Sequence, residues 1–584
     1  MYLKQSKRKD GRNYLVLAKS VRDPVTKTSR TITVESLGYL DELEKRYKDP
    51  IAHFTTEAAK RTEEEIEQTQ PVLLKISKTE TINQDINNRK NLGFAVLSHI
   101  FHNLNLDDFF LTKQRYANFE FNALSILKLL IYSRLLCPAS KKKTWENKGS
   151  FFEDFKFSLE DVYRCLSFLS RYKEELPLYL HQQIKQQYGR KTDIVYYDVT
   201  NYYFEIDRED KQRKKGYSKE HRSSPIIQMG LFMDTDGIPI TYQLFPGNTV
   251  DSKTVIPILS KIQRQYDMGR IIVVADKGII TGDVICYTLS AKNGYVLSYS
   301  IRGADAQFQE FVLDQAGYVD IKGEPVLPVD GGNNGLCTYR IKSRLTPREI
   351  YVTTVTGKKK KRTVHEKQVV FFSEKYAAKA RKERECAVEK ARELIAAPSK
   401  FTQSTTYGAA KYVQNLKYDA KTGEIIEDKK VALLLDEEKI RVEAQFDGYY
   451  ALVSSEYELS DQKIIDIYRG LWQIEETFRI TKSELETRPV FLSREERIQA
   501  HFLTCFIALV LGRIMQKNMS NRYPMGALLE SLGKASGSLM EQNWYVFDYF
   551  DSILLDIKDI YDIDFSQKYM RIGDIRKIIG KTKK

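Results

Sequence analysis

The chain has 584 residues, 42% of them hydrophobic and 29% charged, a balance that excludes a disordered polyelectrolyte and is long enough for three or four domains. Its 92 Lys and Arg outnumber 78 Asp and Glu, and the resulting net charge of +14 favours a polyanionic partner, nucleic acid first. The six cysteines form no Cys-x-x-Cys pair, so neither a zinc module nor a disulfide framework is suggested, which fits a reducing cytosol. Met1 to Arg8 has no apolar signal core, and the longest apolar run, Phe502 to Leu511, is too short for a bilayer and reads as a buried helix. A cytoplasmic protein with no membrane partner is expected.

Residues 1–45 form a basic, β-rich segment, with strands at Asn13–Ala18 and Ser29–Val34 around a turn at Asp23-Pro24. Residues 46–190 read as helical. They open with a Glu-rich helix from Thr55 to Gln70, carry core candidates Ile126, Leu129, Leu130 and Leu136, and include a basic cluster at Lys141–Lys143. From 191 to 301 the texture becomes that of a mixed sheet. Strands are expected at Asp193–Asp198, Ile226–Met233, Ile238–Leu244, Arg270–Ala275 and Tyr295–Tyr299, with helices at 252–266 and Val284–Lys292. Residues 302–445 read as a domain inserted into that sheet. It holds short β pieces at Glu349–Thr354 and Gln368–Phe372, the basic run Lys358–Arg362 and a charged helix from Glu374 to Ala397. The sheet resumes at Tyr449–Val453 in a second core segment, 446–515, and Ser460 is the expected N-cap of the following helix. Residues 516–584 are read as a helical tail assigned to dimerisation. The basic clusters at 141–143, 211–215 and 358–362 are either solvated loops or contacts to a nucleic-acid backbone.

Three acidic residues stand out. Asp198 lies in or at the end of a strand, where Asp is disfavoured, and Asp276 follows the apolar run Ile271–Ala275 at a strand's carboxyl end. Glu475 lies in Tyr468–Lys482, which reads as one amphipathic helix. Tyr468, Glu475 and Lys482, spaced by seven, share a line flanked by Leu471, Trp472 and Phe478, so a carboxylate and an ammonium sit within an apolar stripe. Two strands and a helix thus supply carboxylate oxygens of the kind that hold two Mg²⁺ ions for in-line phosphoryl transfer. Each residue also has a structural reading. Asp276 serves as a turn or cap residue, Asp198 closes an Asx turn near Asn201, and Glu475 pairs with Arg479 or Lys482 on a solvated helix.

In combination these segments resemble the DDE transposases of bacterial insertion sequences, specifically the insertion-sequence-four type. Tyr197-Asp198-Val-Thr200 resembles the first motif and Val274-Ala-Asp276-Lys-Gly278 the second, and Phe245-Pro-Gly-Asn248 with Asp251 resembles a segment between them. Tyr468, Glu475 and Lys482 match the Tyr-Arg-Glu-Lys signature in register, while Leu471 stands at the signature's Arg position and Arg469 and Arg479 lie nearby. The resemblance covers roughly 190–300 and 446–515, and the 199 residues from Asp276 to Glu475 (475 − 276) leave room for the family's mostly β insertion. It implies an α/β fold with a ribonuclease H-like mixed-sheet core, the β insertion domain and a helical, DNA-binding N-terminal region. It implies that Asp198, Asp276 and Glu475 are catalytic and hold two Mg²⁺ ions, with Mn²⁺ as a substitute. It assigns DNA contacts to Tyr468, Arg469, Trp472, Arg479 and Lys482. The expected partners are transposon-end inverted-repeat DNA, target DNA and a second copy of the chain. The alternatives are a DNA-binding relative that no longer cuts and a metal-dependent nuclease without strand transfer.

Overall fold

The computed structural model describes residues 1–8, 11–22, 29–69, 79, 81, 87–216, 224–320, 322–326, 339–354, 356–402, 405–406, 408–418, 425–426 and 432–583. They form two compact units, 1–83 and 84–584. In the first, β1 (Tyr2–Lys7), β2 (Asn13–Arg22) and β3 (Ser29–Tyr39) make an antiparallel sheet, and helix α1 (Pro50–Thr69) packs on β1. Leu15, Leu43 and Phe54 are the buried centre of this small unit. The turn expected at Asp23-Pro24 lies outside the described residues.

The second unit opens with β4 (Arg89–Asn91) and helices α2 (Phe94–Asn103), α3 (Ala123–Leu136), α4 (Lys141–Glu146) and α5 (Leu159–Leu169). α3 is buried on all sides, as a helix apolar around its whole circumference must be. α5 starts at a capping box in which Ser158 and Asp161 satisfy each other's backbone N–H groups.

The central sheet has eight strands in the order β10 (Tyr339–Thr353), β11 (Lys359–Ser373), β14 (Tyr449–Ser454), β9 (Gly294–Tyr299), β8 (Ile272–Ala275), β5 (Ile194–Tyr203), β6 (Ile226–Met233) and β7 (Pro239–Pro246). β5 (Ile194–Tyr203), β6 (Ile226–Met233) and β7 (Pro239–Pro246) form an antiparallel meander. Helix α6 (Val255–Gln265) leads to β8 (Ile272–Ala275), and α7 (Gly282–Ser290) leads to β9 (Gly294–Tyr299). β8 pairs parallel with both β5 and β9. Alternation along the strands divides the interior. Tyr196, Val274, Val296 and Leu452 join the core on one face, and Val195, Tyr197, Val273 and Leu297 join the core on the other.

The segment 302–445 departs from expectation. Its two β pieces are one long hairpin, β10 (Tyr339–Thr353) and β11 (Lys359–Ser373), which joins the central sheet instead of standing as a separate β domain. β11 pairs with β14 through contacts such as Phe371 with Tyr450. Helix α8 (Glu374–Ala396) follows, and β12 (Val413–Gln414) and β13 (Leu434–Leu435) close a small cluster centred on Leu394 and Tyr412.

After β14 (Tyr449–Ser454) come α9 (Asp461–Arg469), capped by Ser460 as expected, then α10 (Trp472–Lys482), α11 (Glu495–Asn518) and α12 (Met525–Lys534). The tail is not purely helical. β15 (Ser536–Leu539), β16 (Trp544–Phe547) and β17 (Tyr569–Arg571) form a four-stranded sheet with β4 in the order β17-β16-β15-β4, and helices α2, α3 and α5 share one core with this region. α11, with 24 residues, is longer than its apolar run implied and is apolar and long enough to cross a membrane, but its apolar stretch is wholly buried within the protein.

Candidate active site

Asp198 and Asp276 are brought together by strand register. The last paired rung of the parallel β5–β8 ladder is Tyr196 with Val274. Each Asp lies two residues beyond that rung, so both leave the same sheet face as Tyr196 and Val274, on strands about 4.8 Å apart. The backbone of Asp276 is still extended (φ −82°, ψ 160°), which keeps the alternation valid past the end of β8.

The support for Asp276 comes from the next strand and from α9. Ser298 on β9 donates its hydroxyl to Asp276 Oδ1 at 2.6 Å and accepts the Lys277 N–H at 2.8 Å. Tyr468 donates to the same oxygen at 3.2 Å, and its hydroxyl lies 3.1 Å from that of Tyr450. Burial raises the Tyr468 and Tyr450 hydroxyls above the ordinary phenol value, Tyr468 far above it, so both remain protonated donors. Asp198 Oδ1 accepts the Val199 N–H at 2.7 Å.

The helix carrying Glu475 is broken where a single helix was expected. α9 ends at Arg469 and α10 starts at Trp472, with i→i+3 bonds from Leu471 N to Tyr468 O and from Gln473 N to Gly470 O between them. The cause is Tyr196, whose hydroxyl donates to the Ile467 carbonyl at 3.1 Å and fills the space over Gly470. A Cβ at 470 would lie 1.9 Å from that oxygen. The buried positions of α10 are Ile474, Thr477, Phe478, Ile480 and Thr481, so Glu475 is not inside an apolar stripe but exposed beside one. Trp472, expected to flank that stripe, is 57% exposed.

Two contacts fix α10 along β5: Gly470 against Tyr196 and, farther on, Thr481 Oγ1 with Tyr202 Oη at 2.8 Å. From the first contact, Asp198 lies about 6.6 Å along the strand and Glu475 about 7.5 Å along the helix. Glu475 is therefore level with Asp198. Arg513 on α11 holds this helix from behind, bonding Glu476 Oε2 at 3.0 Å and Thr477 Oγ1 at 2.6 Å. Among the described residues no group of three or more His, Cys, Asp or Glu side chains lies close enough to hold one metal ion, so the three carboxylates are level without being gathered. Their hard oxygen donors fit a divalent ion such as Mg²⁺, with the two Asp side by side and Glu475 one helix edge away.

The residues read as DNA contacts have differing surroundings. Tyr468 is half-buried and donates to Asp276, which makes it a support for the carboxylate. Arg469 reaches the Tyr339 hydroxyl at 3.1 Å and Asp466 at 3.4 Å. Arg479 is 61% exposed near Glu476 and Glu484, and Lys482 lies over the Tyr202 ring at 6.0 Å. Leu471, at the signature's Arg position, is buried in the main core. In the basic cluster at 211–215, Arg213 and Lys214 are balanced by Asp210 and Glu209. The run 358–362 forms the turn and first rungs of the β10–β11 hairpin, where Lys361 pairs with Glu349 at 2.6 Å. Sequence reasoning missed Ser298, Tyr450, Tyr196 and Arg513; strand alternation through Asp276's neighbours was the one signal that could have pointed to Ser298. The turn Asp251–Lys253 packs against the turn Lys277–Ile279, which brings Asp251 beside the same strand ends.

Residues 189–511, more than half of the chain, match a family model described as the transposase DDE domain. Residues 3–71 match one described as the IS1634 family transposase N-terminal domain. That second match corrects the insertion-sequence-four type expected from the motifs. Among solved structures, a piggyBac transposase synaptic complex with hairpin DNA is similar at 9% identity and a TM-score of 0.35, covering 84% of each chain. A Mos1 transposase paired-end complex with the left transposon end is similar at 14% identity and a TM-score of 0.14, covering 31% of this chain and 60% of that one. No curated protein sequence matches the chain.

Proposed function

The chain belongs to the DDE transposases, and from that premise we propose that it cleaves the ends of its own insertion sequence and joins the freed 3′-hydroxyl to target DNA. The observation that carries this reading is the register of Asp198 and Asp276, each two residues past the last rung of neighbouring parallel strands on one sheet face. The strand order β7-β6-β5-β8-β9, an antiparallel meander followed by two strands parallel to β5, supports a ribonuclease H-like core.

Asp198, Asp276 and Glu475 would hold two Mg²⁺ ions, or Mn²⁺ in their place. When bound, such a pair supplies Lewis-acid stabilisation of the attacking and leaving oxygens. Ser298 and Tyr468 fix one oxygen of Asp276 and thereby orient the other. Water attacks the phosphodiester at the element end, and one P–O bond forms as another breaks, releasing a 3′-hydroxyl. That hydroxyl attacks a target phosphodiester in the same in-line manner, without a covalent protein intermediate. Arg469, Trp472, Arg479 and Lys482 lie on or beside α10 and would position the backbone near the cut. Two copies acting on paired ends complete the reading.

Asp198→Asn, Asp276→Asn and Glu475→Gln are each expected to abolish Mg²⁺-dependent cleavage of an end-bearing duplex and to leave its binding intact. Full cleavage by any one of them removes that residue from the site. One observation favours a second reading, a DNA-binding relative that does not cut: Leu471 is buried and apolar where the signature has Arg. Wild-type protein that binds the ends and nicks them with neither Mg²⁺ nor Mn²⁺ would establish that reading instead.

A further inference from the structure

A cavity of about 540 Å³ opens beside the segment that follows α10, lined by Arg134, Lys141, Lys142, Tyr163, Arg488 and Phe491 among others. Two of its cations are buried. Arg134 is 5% exposed and spends its Nη groups on the carbonyls of Leu485, Glu486 and Ala139, while its Nε has no hydrogen-bond partner. Lys141 is 6% exposed and among the described residues its ammonium meets only the imidazole of His501, at 3.3 Å. Among the described residues neither has a carboxylate within ion-pair distance, and Glu486 is the one acid in the lining. A buried guanidinium and a buried amine with no carboxylate beside them leave the cavity electropositive, a setting suited to an anion that enters from solvent. Burial and the neighbouring Arg134 push the Lys141 ammonium down to about 7, a group ready to take up a proton when an anion arrives.

The anion belongs to a polymer, by two observations. Arg497 stacks on Tyr163 of this cavity at 5.1 Å, and Arg497 also lines a second cleft of about 480 Å³. That cleft contains Arg164, Arg171 and Arg494, no acid, and the stacked pair Phe119 and Phe121. Two adjoining clefts whose linings each hold four Arg and Lys, against the single acid Glu486, suit an extended phosphate backbone and not a single small ion. Position points the same way. Arg488 lies over the Tyr203 ring at 5.4 Å, and Tyr203 is five residues past Asp198 on β5, about 16 Å along the strand.

We propose that the Arg134–Lys141 cavity takes a backbone phosphate of the bound DNA, and that the adjoining arginine cleft carries the next stretch of the same molecule. The proposal rests on the transposase reading and adds to it a binding surface outside the catalytic helix. The test measures binding of the full chain to a duplex carrying the element's own end, over a KCl series, for wild type, Lys141→Met and the exposed-site variant Lys142→Ala. Each variant is expected to weaken binding about tenfold and to flatten the dependence of log K on log salt by about one unit. A single neutral methylphosphonate linkage in the duplex is expected to weaken wild type and leave Lys141→Met unchanged. Wild-type affinity and salt slope in both variants would overturn the proposal while end cleavage by wild type still upheld the transposase reading. Wild type that binds neither the end nor a random duplex overturns both. A thermal shift with inorganic phosphate that Lys141→Met abolishes, together with unchanged DNA binding, assigns the cavity to a free anion and overturns the DNA assignment.

Discussion

Replacing Gly470 by alanine puts a Cβ 1.9 Å from Tyr196 Oη and 2.4 Å from its Cζ. An unstrained contact is about 3.5 Å, so the ring or the helix must yield by roughly 1.5 Å. Tyr196 is 4% exposed and has a hydrogen-bonded hydroxyl that burial pushes up to about 12, so it has little room to retreat. The start of α10 moves instead. Overpacking of this kind costs about 1–3 kcal/mol, offset by the roughly 1 kcal/mol that alanine gains over glycine in helical backbone. The net loss of stability is therefore small, about 0–2 kcal/mol. Activity responds differently, because a displacement near 1 Å in a reacting geometry costs about a hundredfold in rate. Gly470→Ala is expected to retain its urea midpoint to within this margin and to cleave an end-bearing duplex about a hundredfold more slowly. Adding Tyr196→Leu should recover part of the lost rate, since it removes the atoms that clash. Wild-type cleavage by Gly470→Ala, or no recovery in the double variant, would refute the argument that Tyr196 sets the position of Glu475.

Ser298→Ala and Tyr468→Phe each remove one donor from Asp276 Oδ1 and should each lower cleavage about 10–100-fold, with a raised Mg²⁺ requirement in a metal titration. Lys141 supplies a pH signature. Its folded pKa of about 7 lies below the unfolded value near 10.5, so between these values the unfolded chain binds more protons and stability rises with pH. The penalty for burying the charged form is fully present below pH 7 and is relieved above it. Urea midpoints measured from pH 6 to 10 in the absence of DNA should rise in wild type and flatten in Lys141→Met.

What the sequence made legible follows from how local each signal is. The strand Ile226–Met233 and the Ser460 cap are where a short, mostly apolar run closed by a turn and capping chemistry place them, because each is decided within a few residues. Asp276 is visible for the same reason, as an acid directly after an apolar strand, whereas Asp198 stands in the middle of β5 and Glu475 on a helix. The break at Gly470 was not visible, since the residue that enforces it, Tyr196, lies more than 270 positions earlier and meets Ile467 only in the fold. The sheet that the hairpin joins is not legible in sequence, because both of its strands alternate equally well on any sheet; only pairings such as Phe371 with Tyr450 decide it. Ser298 carries no signal of its own until the register of β8 and β9 sets it beside Asp276.

The 24-residue helix α11 has a consequence for how this protein can be taken apart. It contacts α2, α3 and α5 as well as β7, and its Arg513 grips the helix bearing Glu475. A fragment ending near residue 190 would lose the surface against which its own helices bury their apolar faces, and a fragment beginning there would expose that same surface. The helical region is thus no detachable reading head. A chimera with a relative would have to exchange residues 84–190 and 485–584 together, as one inherited piece.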